Sequence, residues 1–171
     1  IISPDRTHKG LIKIMADGET SILHIDCVFP VLYGKNGEDG TIQGLFTIAG
    51  IPFVGCDTVS SAICMDKAFT HTVLDNAGIK TAKWTALHRS DISKLDQMIP
   101  QMVEKLGFPM FVKPANAGSS VGINKASNEE QLKDAIKIAF SHDTKVVVEK
   151  AISGIEVETA VMGYEDPQAA E

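Results

Sequence analysis

The 171-residue sequence lacks the features that mark a protein of the membrane, of a nucleic-acid complex or of an oxidising compartment. No apolar run approaches the roughly 20 residues that span a bilayer, and the first ten residues, IISPDRTHKG, have no apolar core of a signal peptide. Basic residues are outnumbered by acidic ones, 16 to 22, which argues against binding a phosphate backbone. We therefore expect a cytoplasmic protein whose partners include neither membrane nor nucleic acid.

Cysteine is also scarce, and its spacing excludes the common metal motifs. The three residues Cys27, Cys56 and Cys64 are odd in number and form no CxxC or Cys/His pattern. Because they lie among apolar or small residues, we expect buried free thiols rather than metal ligands or a redox pair. The remaining composition, 44% hydrophobic and 22% charged, is that of an ordinary globular protein.

The first part of the chain has the pattern of a βαβ unit. A β-rich run, Val28–Tyr33, leads into the glycine-rich segment Gly34–Gly40. Apolar residues then recur at helical spacing over Thr41–Ala49, and Ile51–Gly55 is a second short apolar run. Strand, helix and strand in this order predict an open parallel sheet, with ligands beyond the carboxyl ends of its strands.

The second part mixes helices with hairpin-like connections, which predicts an α+β unit. Pro100 is expected to bend one of its helices, and Ser127 is expected to open another through a capping box. The predicted helices are Ser60–Ala77, about Ser90–Leu106 and one following Ser127; the predicted strands are Lys83–Leu87, Met110–Pro114, Lys145–Glu149 and Ile155–Met162.

The segment around Lys113 has the residue types of a polyphosphate site. Lys113 ends a predicted strand and precedes a loop of Gly and Ser, Ala115–Gly122. An ammonium can neutralise phosphate charge while backbone amides and hydroxyls donate hydrogen bonds. The loop is not a Walker A motif, because no GK[ST] ends it. The alternative is a surface turn beside a solvated lysine.

Other candidates are weaker when taken singly. The backbone of Glu149–Ile152 could hydrogen-bond a purine edge, and Glu156 could accept from ribose hydroxyls. Lys67 could reach the same phosphates from a helix, although helical lysines are usually solvated. Glu38 and Asp39 could orient a small substrate, or could simply form the glycine-rich turn.

Four motifs together resemble those of the D-alanine:D-alanine ligases, which have the ATP-grasp fold. In chain order they are GKNGEDGTIQG (34–44), SAICMDK (61–67), VKPANAGSSVG (112–122), and VEK (148–150) with GIE (154–156). The stretch GCDTVSSAICMDK (55–67) is most similar to the branch that includes the vancomycin-resistance D-Ala:D-Ser and D-Ala:D-Lac ligases.

The resemblance implies an α/β protein of ATP-grasp type, in which part of a preATP-grasp parallel sheet precedes a central α+β ATP-binding lobe. Residues 1–60 would be the back part of the N-terminal domain. Residues 61–149 would be the central lobe, and 150–171 the start of a truncated C-terminal lobe. The chain is thus expected to be a fragment of a longer ligase, which the family resemblance implies to be a homodimer.

The resemblance also implies roles for individual residues. Ser119 corresponds to a residue of the hydrogen-bond network at the dipeptide site and is the catalytic candidate. Tyr33 and Glu38 would bind substrate. The implied ATP-binding residues are Lys67, Lys113, Ser119, Ser120, Glu149, Lys150, Ala151, Ile152 and Glu156.

The implied reaction transfers the γ-phosphoryl group of ATP to the carboxylate of one D-alanine. The amine of a second D-alanine then attacks, and phosphate leaves from the tetrahedral intermediate. The rate would come mainly from charge neutralisation and positioning. Mg²⁺ is an implied cofactor, but its ligands are expected outside this sequence, so we expect no metal site within the chain and no ligase activity from the chain alone.

Two positions depart from the family pattern. Tyr33 stands where the family has a histidine, and Thr47 stands where a glutamate is usual. A phenol can hydrogen-bond a carboxylate but cannot supply an imidazolium charge. Two alternatives therefore accompany the main interpretation: another ATP-grasp carboxylate–amine ligase or biotin-carboxylase-like enzyme, and a non-catalytic nucleotide-binding module.

Overall fold

The computed structural model describes residues 1–170, which form a small N-terminal part and a larger sheet-and-helix part. A hairpin of two strands, β1 (Gly10–Ile14) and β2 (Thr20–His24), opens the N-terminal part, with Gly10 opposite His24. Neither strand is among the elements predicted above. The Asp17-Gly18 dipeptide between the two strands is a common hairpin turn signal and could have indicated them.

The predicted βαβ unit is correct in its helix and wrong in its strands. Helix α1 spans Thr41–Ala49 and ends at Gly50, whose φ of 68° is left-handed. Val28 and Phe53 pair in parallel, but as one isolated bridge rather than as two strands. Two prolines explain part of this, because Pro30 and Pro52 have no N–H to donate to a ladder.

The single helix predicted over Ser60–Ala77 is wrong, because Asp66 divides it. Helix α2 (Thr58–Met65) ends there, and α3 (Lys67–Asn76) begins directly afterwards. The Asp66 backbone is extended, and its carboxylate accepts from the amides of Ala68 and Phe69 at 3.0 and 3.2 Å. Asp66 therefore caps α3, as short acidic side chains do at helix starts.

The larger part is built on a four-stranded antiparallel sheet in the order β3-β6-β4-β5. Three of its strands were predicted, within one residue at each end, and β5 was not. They are β3 (Trp84–His88), β4 (Met110–Pro114), β5 (Asn124–Ala126) and β6 (Lys145–Lys150).

Two helices cover one face of this sheet. Helix α4 (Leu95–Leu106) contains Pro100, and a 3-10 helix (Arg89–Lys94) precedes it. Helix α5 (Glu129–His142) starts after Asn128, whose side chain accepts from the Gln131 amide; the cap is therefore one residue later than predicted.

Alternation along the strands decides what each face of the sheet carries. Val112, Val146 and Val148 are fully buried against α4 and α5 in the main core. Their neighbours in sequence point the other way, so that Val147 packs with Ala68 of α3. Lys113 and Glu149 share this second face, because they too alternate with the core residues. The sheet thus supports α3 and its charged partners on one side only.

Two other expectations are wrong. The predicted strand Ile155–Met162 is coil except for β7 (Val161–Met162), which pairs with β8 (Gln168–Ala169). Ile155 is 92% exposed, and no strand within residues 1–170 pairs with it. All three cysteines are exposed rather than buried, two in loops and Cys64 in α2. Within residues 1–170, no helix is both long and apolar enough to span a membrane.

Candidate nucleotide site

Lys67 is the first residue of α3, and its side chain reaches the loop that follows β4. Its ammonium donates to the carbonyl oxygens of Ala117 at 2.6 Å and Ala115 at 3.4 Å. Burial, followed by the nearby charge of Lys113, lowers the pKa of Lys67 below its ordinary 10.5. A cation at a helix N-terminus is also disfavoured by the helix dipole. An anionic ligand at this point would offset both costs.

Lys113 lies close by on β4 and pairs with Glu149 of β6. The Lys113 Nζ to Glu149 Oε2 distance is 2.5 Å, and the other carboxylate oxygen lies 3.0 Å from Nε2 of His71. Burial raises the pKa of Glu149, but hydrogen bonds from Lys113 and His71 outweigh this and hold the pKa below its ordinary 4.5. Glu149 is only 8% exposed, so it is a buried anion with a partner on each oxygen.

The first half of the glycine–serine loop is fixed by polar contacts. Asp143 accepts from the backbone and side-chain nitrogens of Asn116 at 2.7 and 3.0 Å. Burial raises the pKa of Asp143, and the bonds from Asn116, Thr144 and Lys145 lower it by more. The Ala115 amide donates to the Lys145 carbonyl at 2.9 Å. This half of the loop is therefore held in place without a ligand.

An ion pair between Lys145 of β6 and Asp66 stabilises the start of α3. The Lys145 ammonium contacts the Asp66 carboxylate and lies 4.3 Å from the centre of the Phe69 ring. Asp66 is thus both the cap of α3 and the counter-ion of Lys145. Because Lys67 follows Asp66 directly, this pair determines where the Lys67 side chain begins.

The second half of the loop contains the predicted serines, in an uncommon backbone conformation. Ser119 and Ser120 are exposed, with left-handed φ angles of 49° and 58°. Two adjacent non-glycine residues in this region cost free energy, and such residues concentrate at ligand-binding sites. Both hydroxyls are free of protein partners among the hydrogen bonds of residues 1–170.

The predicted substrate residues lie on two different cavities. Tyr33 and Ser119 both line a cavity of about 330 Å³ between the two glycine-rich loops. Glu38 instead lines a cavity of about 450 Å³ beside α2. Its carboxylate accepts from the Gly34 amide at 2.5 Å and so closes its own loop.

The end of β6 and the segment that follows it make few contacts with the rest of the protein. The Lys150 ammonium donates to the carbonyls of Gly107 and Phe108, at 3.2 and 2.8 Å. It therefore stabilises the connection between α4 and β4 and does not face an open site. The Ala151 amide donates to the Pro109 carbonyl at 3.0 Å. Ile152 is 71% exposed and Glu156 is also exposed.

The structure therefore brings together Lys67, Lys113 and Glu149, and it brings Ser119 to the cavity of Tyr33. Glu38 does not line that cavity but accepts from the amide of Gly34, which does. Glu156 is exposed and contacts neither group. Sequence reasoning missed the partners that hold the site. They are Asp66, His71, Asn116, Asp143 and Lys145. Only His71 had a signal, because it follows Lys67 by four residues and so lies on the same helix face.

The ammonium groups retain hydrogens for a ligand. Each ammonium has three donor hydrogens. Lys67 commits two to loop carbonyls and Lys113 commits one to Glu149. One hydrogen of Lys67 and two of Lys113 are left, which suits a polyanion better than a single carboxylate.

A metal centre is not part of this arrangement. No group of three or more His, Cys, Asp or Glu side chains that could hold a metal ion occurs within residues 1–170. The residues present do not fit a Mg²⁺ site, and we assign no chemical step to the ion.

Family models and known proteins relate this arrangement to one group of enzymes. A model described as "D-ala D-ala ligase N-terminus" matches residues 4–56, and one described as "D-ala D-ala ligase C-terminus" matches residues 73–171. A D-alanine–D-alanine ligase of Caldicellulosiruptor bescii is 49% identical over 166 residues, which cover 96% of this chain and 45% of that protein. The vancomycin B-type resistance protein VanB of Enterococcus faecalis is 46% identical over a stretch that covers 97% of this chain and 46% of VanB.

A solved structure agrees with these matches. The VanG D-Ala:D-Ser ligase of Enterococcus faecalis superposes with a TM-score of 0.88 at 44% identity, covering 99% of this chain and 47% of that one. The chain spans about half the length of the relatives it matches. The matched models, the identities and the superposition all agree: the chain belongs to the D-alanine–D-alanine ligase family and has the α/β architecture of its ATP-grasp fold.

Proposed function

We propose that this chain supplies the phosphate-binding part of an ATP-dependent ligase that joins two D-alanines for peptidoglycan precursor synthesis. The observation that carries the proposal is that the Lys67 ammonium reaches the loop leading to Ser119, with the charge of Lys113 close beside it. Lys67 touches the loop carbonyls, and burial and Lys113 lower its pKa. Two adjacent cations, one of them partly desolvated, favour a ligand with several negative charges.

In the proposed reaction, the two lysines neutralise the phosphates while the γ-phosphoryl group passes to a D-alanine carboxylate. The amine of a second D-alanine then displaces phosphate. Ser119 and Ser120 would hydrogen-bond the substrate and the γ-phosphate from their exposed loop. Tyr33, which shares a cavity with Ser119, would hydrogen-bond the first D-alanine. The backbone of 149–152 would contact the adenine, with Glu156 on the ribose.

We keep three further expectations as predictions. The domain limits are 1–60, 61–149 and 150–171, the protein forms a homodimer, and it is located in the cytoplasm. Mg²⁺ would accompany ATP, bound by residues outside the described arrangement.

A D-Ala:D-Ser or D-Ala:D-Lac ligase is the second candidate. Its support is the similarity to VanG, a D-Ala:D-Ser ligase, which covers nearly the whole chain. Both candidates use the same nucleotide and the same first substrate, so the lysines and the loop would serve either one. Relatives at 45–49% identity that are named D-alanine–D-alanine ligases favour the first candidate. The choice depends on the second substrate alone.

Two measurements test the proposal. Mg-ATP binding to the 171-residue chain is measured by calorimetry, with Lys113→Met and Lys67→Met as test variants. Lys137→Met, on the far side of the sheet in α5, is the matched control. We expect each test variant to weaken binding by about tenfold or more and the control to be unchanged. Equal binding by all four proteins would refute the assignment of the lysines.

The second measurement is ADP release by a ligase-length polypeptide that contains these residues. We expect D-alanine to stimulate release. D-serine and D-lactate are then offered with D-alanine to separate the two candidates. ATP binding without any stimulation by D-alanine would favour the non-catalytic nucleotide-binding module instead.

A further inference from the structure

One face of α3 contacts the loop after β4, strand β6 and strand β3. Lys67, His71 and Asp75 are four residues apart and therefore lie in one row along the helix. Lys67 reaches the loop carbonyls, and Asp75 accepts from the indole N–H of Trp84 at 2.8 Å. His71, between them, meets Glu149. The row connects the phosphate-side lysine with a strand at the edge of the sheet.

The His71 ring is held in a defined orientation. It stacks on Trp84 with 5.0 Å between ring centres and 16° between planes. Its side chain is only 14% exposed. The carboxylate of Glu149 can only accept, so Nε2 of His71 carries the hydrogen in the 3.0 Å contact. Nδ1 is buried and has no partner within residues 1–170, so Glu149 is the one polar contact of the ring.

Glu149 is consequently shared between two donors. His71 occupies Oε1, and Lys113 occupies Oε2 at 2.5 Å. A carboxylate without a second donor would draw Lys113 onto both oxygens. With His71 on Oε1, Lys113 contacts Oε2 alone, and its two other hydrogens have no protein acceptor within residues 1–170.

We propose that His71 is a positioning residue for the nucleotide: it fixes the Glu149 carboxylate so that Lys113 remains available to a phosphate. The inference rests on the proposed function, because it gives Lys113 a phosphate partner. His71 itself touches neither the nucleotide nor the reacting atoms.

The test compares two substitutions of His71. His71→Gln keeps a side-chain N–H near Glu149, and His71→Leu removes it while filling similar space. We expect His71→Leu to weaken Mg-ATP binding to the chain by about tenfold and His71→Gln to recover most of that loss. His24→Gln, in the exposed strand β2, controls for the loss of a histidine.

A double variant separates positioning from general damage. If His71 acts through Lys113, His71→Leu has less than about a twofold effect on binding in a Lys113→Met background. A full, additive loss in that background, or wild-type affinity in His71→Leu itself, overturns the proposal.

A second readout needs no nucleotide. The side-chain carboxyl carbon of Glu149 is titrated by NMR in the wild type and both His71 variants. We expect the midpoint to rise in His71→Leu and to move back toward wild type in His71→Gln, because the hydrogen bond from His71 lowers the pKa of Glu149. An unchanged midpoint overturns the positioning role. A wild-type chain that binds no ATP overturns the proposed function, while this titration still decides whether His71 holds Glu149.

Discussion

The ammonium of Lys67 lies 2.6 Å from the carbonyl oxygen of Ala117, fifty residues further along the chain. The same lysine begins α3 and is partly withdrawn from water. A surface lysine would gain more by staying solvated, since a buried ammonium loses hydration that two carbonyls replace only in part. Its position is therefore better explained by a ligand than by stability.

Anion binding should raise the pKa of Lys67. In the free chain, burial and then Lys113 hold this pKa below 10.5. A polyphosphate adds negative charge beside the ammonium and so favours its charged form. The measurement is an NMR titration of the Lys67 side-chain nitrogen with and without tripolyphosphate. The Lys137 signal, from the opposite side of the sheet, shows any general effect of ionic strength. A Lys67 midpoint that does not respond to tripolyphosphate contradicts the phosphate assignment.

Substituting Asp66 should separate its role as a helix cap from its role as a counter-ion. Asp66→Ala removes both the α3 cap and the partner of Lys145, and we expect a loss of about 3 kcal/mol in unfolding free energy. Asp66→Asn keeps a good cap and removes only the charge, so its loss should be smaller. Chemical denaturation at pH 7 measures both.

The outcome also bears on ATP. Because Lys67 adjoins Asp66, the alanine variant should weaken nucleotide binding more than the asparagine variant. If the two variants are equally stable, the cap contributes nothing, and the division of α2 from α3 needs another cause.

Local patterns predicted most of this fold, and they failed where distant residues decide the outcome. Strands β3, β4 and β6 follow from β-rich apolar runs. The break at Asp66 does not follow from a local pattern. It depends on the ion pair with Lys145, which is distant in the sequence, and on the cap that Asp66 forms on α3. The strand expected at Ile155–Met162 failed for the converse reason: a strand needs a neighbour, and most of this segment has none in the described chain.

The sequence indicated the lysines of the candidate site but not the residues that hold them in place. A lysine at the end of a strand, followed by a loop of glycine and serine, has the residue types of a phosphate site, and this pattern is local in the sequence. That Glu149 lies opposite Lys113, and His71 opposite Glu149, depends on strand register and on the packing of α3. Neither follows from spacing along the chain, since the residues are 36 and 78 positions apart.

Glu149 should stabilise the fold at neutral pH and lose that contribution in acid. Its pKa in the folded chain is below the ordinary 4.5, so the folded state favours the ionised form. The stabilisation is complete above about pH 4.5 and falls as the pH drops through the lower, folded-state pKa. We expect the difference in unfolding free energy between wild type and Glu149→Gln to shrink below pH 4.5. Urea denaturation of both proteins from pH 7 to pH 3 measures it, and a difference that grows in acid would reverse the sign of this argument.

Gly122 should be the residue that most restricts the shape of the glycine–serine loop. Its φ of 72° is left-handed, and a Cβ there would lie 2.8 Å from Cγ of Pro114 and 2.6 Å from Cδ2 of His142. Gly122→Ala thus combines backbone strain with a steric clash, and we expect a loss of about 2 kcal/mol or more in unfolding free energy. Nucleotide affinity should fall with it, because the loop carries Ser119 and Ser120.

Gly118 provides the matched control within the same loop. A Cβ at Gly118 meets no atom within 4 Å, and its φ is not left-handed. Gly118→Ala should therefore change the unfolding free energy by less than about 0.5 kcal/mol. Thermal unfolding of the two variants beside wild type is sufficient, since about 2 kcal/mol corresponds to roughly 4–8 °C for a domain of this size. Equal melting temperatures for Gly118→Ala and Gly122→Ala would mean that the loop accommodates a side chain at both positions. The backbone at Gly122 would then not be what holds Ser119 beside the cavity of Tyr33.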